Sequence, residues 1–377
     1  MKSEWRIMRA EEFIDFNPRL SIKKGEIATK ISMDKLQPFT KQIPETGKAS
    51  FTGGAKFCNG DTIMARITPC LENGKTAFVD ILADEEVAFG STEFIVMRAK
   101  KGISDPQFVY YLAISPDFRQ IAIQSMVGSS GRQRVQQDVL NNVEIAVPAL
   151  EEQERIGSFL KRLDDKITLN NKINDNLERQ AKTLYKEWFD ASQSFMTDGK
   201  LSDIAIITMG QSPNGKSYNE QGEGEVFYQG RAEFGSRFPT RRLYTTEPKR
   251  MAETGDVLLS VRAPVGDMNI AYEKCCIGRG LAAVHSKTGN SSFLLYTMFG
   301  LKTQLDVFNG EGTVFGSINR EALAAMPVQI PSNEAMAQFE KMVRPMDDLI
   351  KTNYEENCRL EELRNSLLPK LMAGEIL

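Results

Sequence analysis

Hydrophobic positions between residues 156 and 188 alternate in steps of four and three: Ile156, Leu160, Leu163, Ile167, Asn170, Asn174, Leu177, Ala181, Leu184 and Trp188. This is the heptad spacing of a coiled-coil seam and predicts one long helix. Adding 183 to each number gives Phe339, Val343, Met346, Ile350, Asn353, Asn357, Leu360, Arg364, Leu367 and Leu371, a second helix with the same rhythm. In both copies asparagine stands at the same two places where the pattern asks for leucine. Ahead of each helix lies a mixed stretch of short strand-like runs and turn signals. The strand candidates are "DTIMARI", "KTAFVDIL" and "STEFIVMRA" in the first half, with "DVLLSVRA" and "LAAVHS" in the second. "DPQFVYYLAISPDFRQIAIQSM" and "NSSFLLYTMFGLKTQLDVF" read as short helices between turns.

The chain is thus written twice. Asn17-Pro18 recurs as Ser212-Pro213, Gly60-Asp61 as Gly255-Asp256 and Pro69 as Pro264, all shifted by 195 residues. Further on, "VEIAVPALEEQERI" matches "MPVQIPSNEAMAQF" and "LDDKI" matches "MDDLI", now shifted by 183. Self-similarity at a fixed distance marks a repeated structural unit. The expected fold is α+β: two mixed domains, residues 1–148 and 192–331, each followed by a long helix, 149–191 and 332–377.

A compact domain usually brings its termini together. The second helix should therefore begin beside the end of the first and run antiparallel to it, relating the halves by a pseudo-twofold axis. Asn170 then faces Asn357, and Asn174 faces Asn353. A slide by one heptad would bury these amides against leucine, at about 1 to 3 kcal/mol per unsatisfied group, so the asparagines set the register. At ~1.5 Å per residue the seam makes a rod of about 48 Å that holds the two heads apart. Pro345 and Arg364 depart from the ideal pattern, and the proline should kink or loosen the first turns of the second helix.

Composition narrows the chemistry. At 377 residues, 41% hydrophobic and 26% charged, the chain is an ordinary globular one with room for more than one domain. No apolar run approaches the ~18 residues of a membrane span. "MKSEWRIM" lacks the apolar centre of a signal peptide, so the expected location is cytoplasmic. Cys58, Cys70, Cys275, Cys276 and Cys358 show no C-x-x-C spacing and read as reduced thiols. A single histidine, His285, leaves almost no raw material for a zinc site or a nucleophile triad. No G-x-x-x-x-G-K-[ST] phosphate loop exists. "DPQF" at 105–108 lacks the second proline and glycine-rich loop of an adenine methyltransferase, and Glu247-Pro248-Lys249 puts proline where a nuclease strand would run. The pairs Asp164-Asp165 and Asp347-Asp348 read as solvated helix faces. What remains is a non-catalytic scaffold with two recognition heads.

A net charge of −3 at first argues against nucleic acid. Yet the excess acid lies in residues 332–377, with 6 basic and 9 acidic groups, while the other segments are near neutral. In the second half, "FYQGRAEFGSRFPTRRLY" interleaves Gln229, Arg231, Arg237, Arg241 and Arg242 with aromatics and glycine. Such a loop suits phosphate contact and bidentate pairing of arginine with guanine, although it equally suits an exposed basic turn. Arg262 and Arg279 stand at strand ends, Arg279 between two glycines; either could instead form a structural ion pair. The first half offers Arg66 before Thr68-Pro69, Ser91-Thr92 at a strand entry, and Arg132, Gln133 and Arg134 in the polar loop "VGSSGRQRVQQ". Lys35, with Lys30, Lys41, Lys48 and Lys56, could supply backbone contacts.

Taken together, these motifs resemble the specificity subunits of type I restriction-modification enzymes. "VPALEEQERIGSFLKRLDDKI…LERQAKTLYKEWF" is similar to their central conserved helix and "LRNSLLPKLMAGEI" to their distal one. "GDVLLSVRAPVG…CIGRGLAAV" is similar to a recurring element of their target recognition domains. The resemblance covers nearly the whole chain. It implies that each target recognition domain reads one half of a split site in double-stranded DNA, while the helices dock two methyltransferase (modification) subunits. Restriction subunits, which translocate and cleave, would join that core. S-adenosylmethionine, ATP and Mg²⁺ would belong to those partners, leaving this chain non-catalytic. An asymmetric bipartite target with an unread spacer is expected, with weak DNA binding by the isolated subunit and tight binding once the methyltransferase subunits are added. The alternatives are a coiled-coil scaffold with no DNA role, and a methyltransferase or nuclease in its own right.

Overall fold

The computed structural model describes residues 5–189, 196–310 and 316–376. The chain divides into two compact units, Met1–Lys172 with Asn353–Leu377, and Ile173–Thr352. The boundary expected between residues 191 and 192 lies outside the described residues.

Among the described residues of the first unit, eight strands form two four-stranded sheets, beside a two-stranded ribbon in which Arg6–Arg9 pairs with Glu144–Val147. The eight are β1 (Ile14–Phe16), β2 (Ile27–Ile31), β3 (Gly47–Ser50), β4 (Lys56–Phe57), β5 (Thr62–Ala65), β6 (Thr76–Phe78), β7 (Ala88–Gly90) and β8 (Phe94–Ala99). One sheet has the order β1-β8-β5-β6 and the other β3-β2-β7-β4, with β2 and β7 parallel. The second unit repeats the plan with β9 (Ala205–Met209), β10 (Glu225–Tyr228), β11 (Leu243–Thr245), β12 (Met251–Ala252), β13 (Val257–Ser260), β14 (Met268–Ile270), β15 (Cys275–Ile277) and β16 (Leu281–Ser286). Its sheets run β9-β16-β13-β14 and β11-β10-β15-β12, each strand eight numbers above its counterpart. The one addition is a short strand, Tyr218–Asn219, paired to β11.

The central strands are buried on both faces, which is why they read as apolar runs rather than as alternation. In β8, Phe94 and Val96 enter the core between the sheets while Ile95 and Met97 enter the core beneath the helices. In β16, Leu281 and Ala283 take the first role and Ala282 and Val284 the second. Each head is therefore three layers: an outer sheet, a central sheet and helices.

Four helices carry the polar contacts that tie each head to its supports: α1 (Pro106–Ile114), α2 (Leu150–Trp188), α3 (Ser291–Gly300) and α4 (Asn333–Met372). Within the first unit α2 and α4 run antiparallel. Asp164 meets Arg364, and Asn170 donates to Asn357 at 2.9 Å and to Glu356 at 2.8 Å, while Asn357 donates to Asn171 at 2.8 Å. Within the second unit Tyr185 and Trp188 pack on Phe339, and Arg237 spans Glu178 and Asp347, again an antiparallel order. Asn174 belongs to the second unit and Asn353 to the first.

α4 continues through Pro345 without a break. Pro345 and Lys341, whose carbonyl loses its helical donor, are both exposed, so water can satisfy that carbonyl. The kink or loosening expected from Pro345 thus does not break the helix.

The two short helices meet the long ones in different ways. α1 is capped by its own Asp105, which accepts from the Phe108 N–H at 2.8 Å. Gly157 of α2 lies against this turn, where a Cβ would come within 2.7 Å of the Asp105 carboxylate. In the second unit Asn290 makes no side-chain cap. Glu340, at the position 183 residues beyond Gly157, accepts instead from the Ser292 and Phe293 N–H groups at 3.2 and 3.1 Å.

Candidate nucleic-acid interface

Three segments converge at one edge of each head. In the second unit the Val261 N–H donates to the Gly280 carbonyl (2.9 Å), the Ala263 N–H to Gly316 (3.0 Å) and the Ile318 N–H to Val261 (3.1 Å). In the first unit the Arg66 N–H donates to the Glu93 carbonyl (2.9 Å), Thr68 to Gln133 (3.0 Å) and Val135 to Arg66 (2.8 Å). The bonds are equivalent one for one. They match Thr92 with Arg279, Glu93 with Gly280, Ile67 with Arg262 and Arg134 with Ser317. The hydrogen bonds place Arg66 opposite Val261, the same pairing that the shift of 195 residues gives, and Ile67 opposite Arg262.

The side chains on this shared lattice differ sharply. Arg279 and Arg262 are exposed and have no side-chain hydrogen bond or ion pair among the described residues. The Arg279 N–H donates to the Ser212 hydroxyl at 3.2 Å. A Cβ at either flanking glycine would press on Gln229, 2.8 Å from its carbonyl oxygen for Gly278 and 3.0 Å for Gly280. The glycines thus let the turn pack against Gln229, itself exposed, with Arg279 between them. In the first head Arg132 is the exposed, unpartnered cation of the lattice among the described residues, beside exposed Thr92 and half-buried Ser91, whose hydroxyl accepts from the Glu93 N–H.

Several expected contact residues are already engaged. Arg134 grips Glu93 through two nitrogens at 2.7 to 3.0 Å, and that hydrogen bond holds the Glu93 carboxyl below its usual pKa. No acid stands in the loop's own sequence; the partner comes from the neighbouring turn. Gln133 is committed through its backbone to Thr68, and half-buried Arg66 donates to the Val135 carbonyl at 3.2 Å. Arg231 pairs with Asp267, Arg241 with Glu273, Arg242 with Glu233 and Lys35 with Glu45. These pairs are partly exposed and worth little each, so a phosphate could displace the carboxylate.

Arg237 is a correction. It is only 6% exposed, so it cannot reach DNA. It donates to Glu178 of α2 at 2.9 Å and to Asp347 of α4, and Tyr296 of α3 donates to the same Asp347 at 2.8 Å. Burial works against its charge, but Asp347, Tyr296 and Glu178 outweigh that and raise its pKa. Lys41 is a second correction: at 3% exposure it donates to the Tyr111 hydroxyl at 3.2 Å and to Gln107. Tyr111 donates to Asp164 at 2.6 Å, and Arg364 donates to the other oxygen of that carboxylate at 2.6 Å. Asp164, 2% exposed, is therefore a buried anchor and Asp347 a half-buried one rather than parts of a solvated helix face, whereas Asp165 and Asp348 are exposed as such a face requires. Asp105 of "DPQF" serves as the cap of α1.

No group of three or more His, Cys, Asp or Glu side chains that could hold a metal occurs among the described residues. Nor is any helix among them long and apolar enough to cross a membrane.

Comparison with known proteins places this geometry. Residues 2–179 and 195–365 match the type I restriction modification DNA specificity domain, once for each half. The chain is 31% identical over 340 residues to the putative type I restriction enzyme MjaX specificity subunit of Methanocaldococcus jannaschii, covering 84% of this chain and 78% of that one. It is 24% identical over 405 residues to the HindI specificity subunit of Haemophilus influenzae, covering 84% and 86%. Its fold is shared with the crystal structure of the type I restriction-modification S subunit from M. genitalium, at a TM-score of 0.60 and 16% identity over 98% and 96% of the two chains. The chain belongs to the type I restriction-modification DNA specificity family and carries two copies of its domain.

Proposed function

We propose that this chain reads an asymmetric bipartite site in double-stranded DNA, residues 1–148 taking one half-site and 192–331 the other. The carrying observation is the duplicated hydrogen-bond lattice with unlike side chains: Arg262 and Arg279 on the second head occupy the places of Ile67 and Thr92 on the first. A common frame with different side chains suits two different half-sites. Unpaired arginines at turns suit phosphate contact and the guanine edge. The chain performs no chemistry itself, and S-adenosylmethionine, ATP and Mg²⁺ belong to its partners.

The helices, residues 149–191 and 332–377, dock two methyltransferase subunits, which restriction and translocase subunits then join. Supporting this, Phe159 of α2 is 40% exposed and Met342, 183 residues on in α4, is 43% exposed. One large apolar side chain is thus offered at the same place in each repeat, as two copies of one partner require.

The test replaces Arg262 and Arg279 by alanine in the complex reconstituted with methyltransferase subunits. Assembly should persist while methylation of the cognate site falls at least ~30-fold, two arginine–base contacts each being worth about 1 to 3 kcal/mol. Unchanged methylation would refute the assignment.

A further inference from the structure

The family domain explains the heads but not why each ties a buried cation to the long helices, Arg237 directly and Lys41 through Tyr111. In the first unit the chain of contacts is Lys41, Tyr111 of α1, Asp164 of α2 and Arg364 of α4. In the second it is Arg237, Tyr296 of α3 and Asp347 of α4, with Glu178 of α2. The two cations are equivalent by backbone as well: the Lys41 carbonyl accepts from Phe78, the last residue of β6, and the Arg237 carbonyl from Ile270, the last of β14. The tyrosines stand at the same turn of α1 and α3, and the aspartates are 183 residues apart.

The frame is kept while the chemistry differs. Lysine reaches its aspartate through a tyrosine hydroxyl, whereas arginine binds the aspartate directly. Buried charges are expensive and rarely add net stability. Their recurrence at one place in both repeats requires a use that hydrophobic packing would not serve. Directional bonds from a head to the long helices, to both of them from Arg237 and to α2 through Tyr111 in the first unit, fix its orientation, which non-directional burial cannot do as sharply.

We propose that Lys41 and Arg237 are positioning residues that lock each head at a set angle on its segment of the helix pair, and so make spacing between half-sites part of what the protein reads. This rests on the bipartite reading of the target. A head with a loosened lock still reads its own bases but accepts targets whose spacer is wrong.

The experiment uses the full chain with its methyltransferase subunits and targets whose spacer is native, one base pair shorter or one longer. Lys41→Met is the main variant, because Asp164 keeps Arg364 and no buried charge is abandoned. Methylation of the native target should stay within about threefold of wild type, and preference for the native spacer should fall about tenfold, since misplacement by ~1 Å can change rates by 10²-fold. Lys41→Arg should restore the preference. Tyr111→Phe, which removes the hydroxyl that joins Lys41 to Asp164, should lose as much of it as Lys41→Met does. Leu160→Ala, a core truncation of the same unit, controls for stability and should leave the preference intact. Unchanged spacer preference in Lys41→Met, or equal loss in Leu160→Ala, overturns the proposal. A wild-type complex indifferent to spacing overturns the bipartite reading instead.

Discussion

Replacing Arg237 by methionine offers a sharp test of the second anchor. The substitution keeps an apolar stem of similar bulk but removes the guanidinium that faces Glu178 and Asp347. Both carboxylates retain one donor, Lys182 for Glu178 and Tyr296 for Asp347. Breaking a buried pair from one side costs about 3 to 5 kcal/mol, and the surviving donors put the expected loss near ~3. The chain has two tryptophans, Trp5 in the first unit and Trp188 in the second. Trp188 packs on Phe189 and Phe339, so in a Trp5→Phe background its fluorescence during urea unfolding reports the second unit alone. The pH dependence supplies the sign. Burial pushes the Glu178 carboxyl up, but Lys182 and Arg237 together bring it below its usual value. A depressed folded pKa gives stability that is present above the unfolded pKa of about 4.5 and lost as pH falls. The gap between wild type and Arg237→Met should therefore be widest near neutrality and narrow below about pH 4.5. A loss under ~1 kcal/mol at pH 7, or a gap independent of pH, would refute the reasoning.

Lys41 titrates in the opposite sense: burial lowers its ammonium pKa to about 8. Between about pH 8 and 10.5 the unfolded chain holds a proton the folded one has lost, so the first unit should gain roughly 1 to 3 kcal/mol across that window. Trp5 fluorescence in a Trp188→Phe background measures this, and Lys41→Met should flatten it. Glu340→Ala strips the cap from α3 and should cost about 1 to 2 kcal/mol in the second unit, read by urea unfolding through Trp188. Asn170→Leu alone should destabilise the first unit by about 1 to 3 kcal/mol because the Asn357 side-chain oxygen loses its donor, while its NH₂ group keeps Asn171. The double change with Asn357→Leu should recover most of that in the same Trp5-monitored assay, at the expense of register.

Periodicity carried much of this architecture into view. The seam residues from Ile156 to Leu371 depend only on local spacing, and the repeat offsets of 195 and 183 made the two halves comparable before any contact was known. The pairing of Asn170 with Asn357 follows from the same arithmetic. Hidden instead were features whose partners lie far along the chain. Asp164 looks solvated beside Asp165 until Arg364 and Tyr111 are brought to it. Arg237 sits in a basic stretch, and nothing local shows that Glu178 and Asp347 enclose it. Arg134 loses its freedom to the side chain of Glu93, 41 residues away along the chain. Strands such as β4, β12 and β15 run two or three residues and hold too few positions to show a period.

The exchange of caps between Gly157 and Glu340 bears on how such heads can be recombined. A chimera that seats the second head on the opening turns of α2 would bring an uncapped α3 against a glycine, with no carboxylate for the Ser292 and Phe293 amides. The reverse graft would force Glu340 into the Asp105 turn, carboxylate against carboxylate. Grafted specificities should therefore transfer cleanly only when residue 157 or 340 travels with the head it serves.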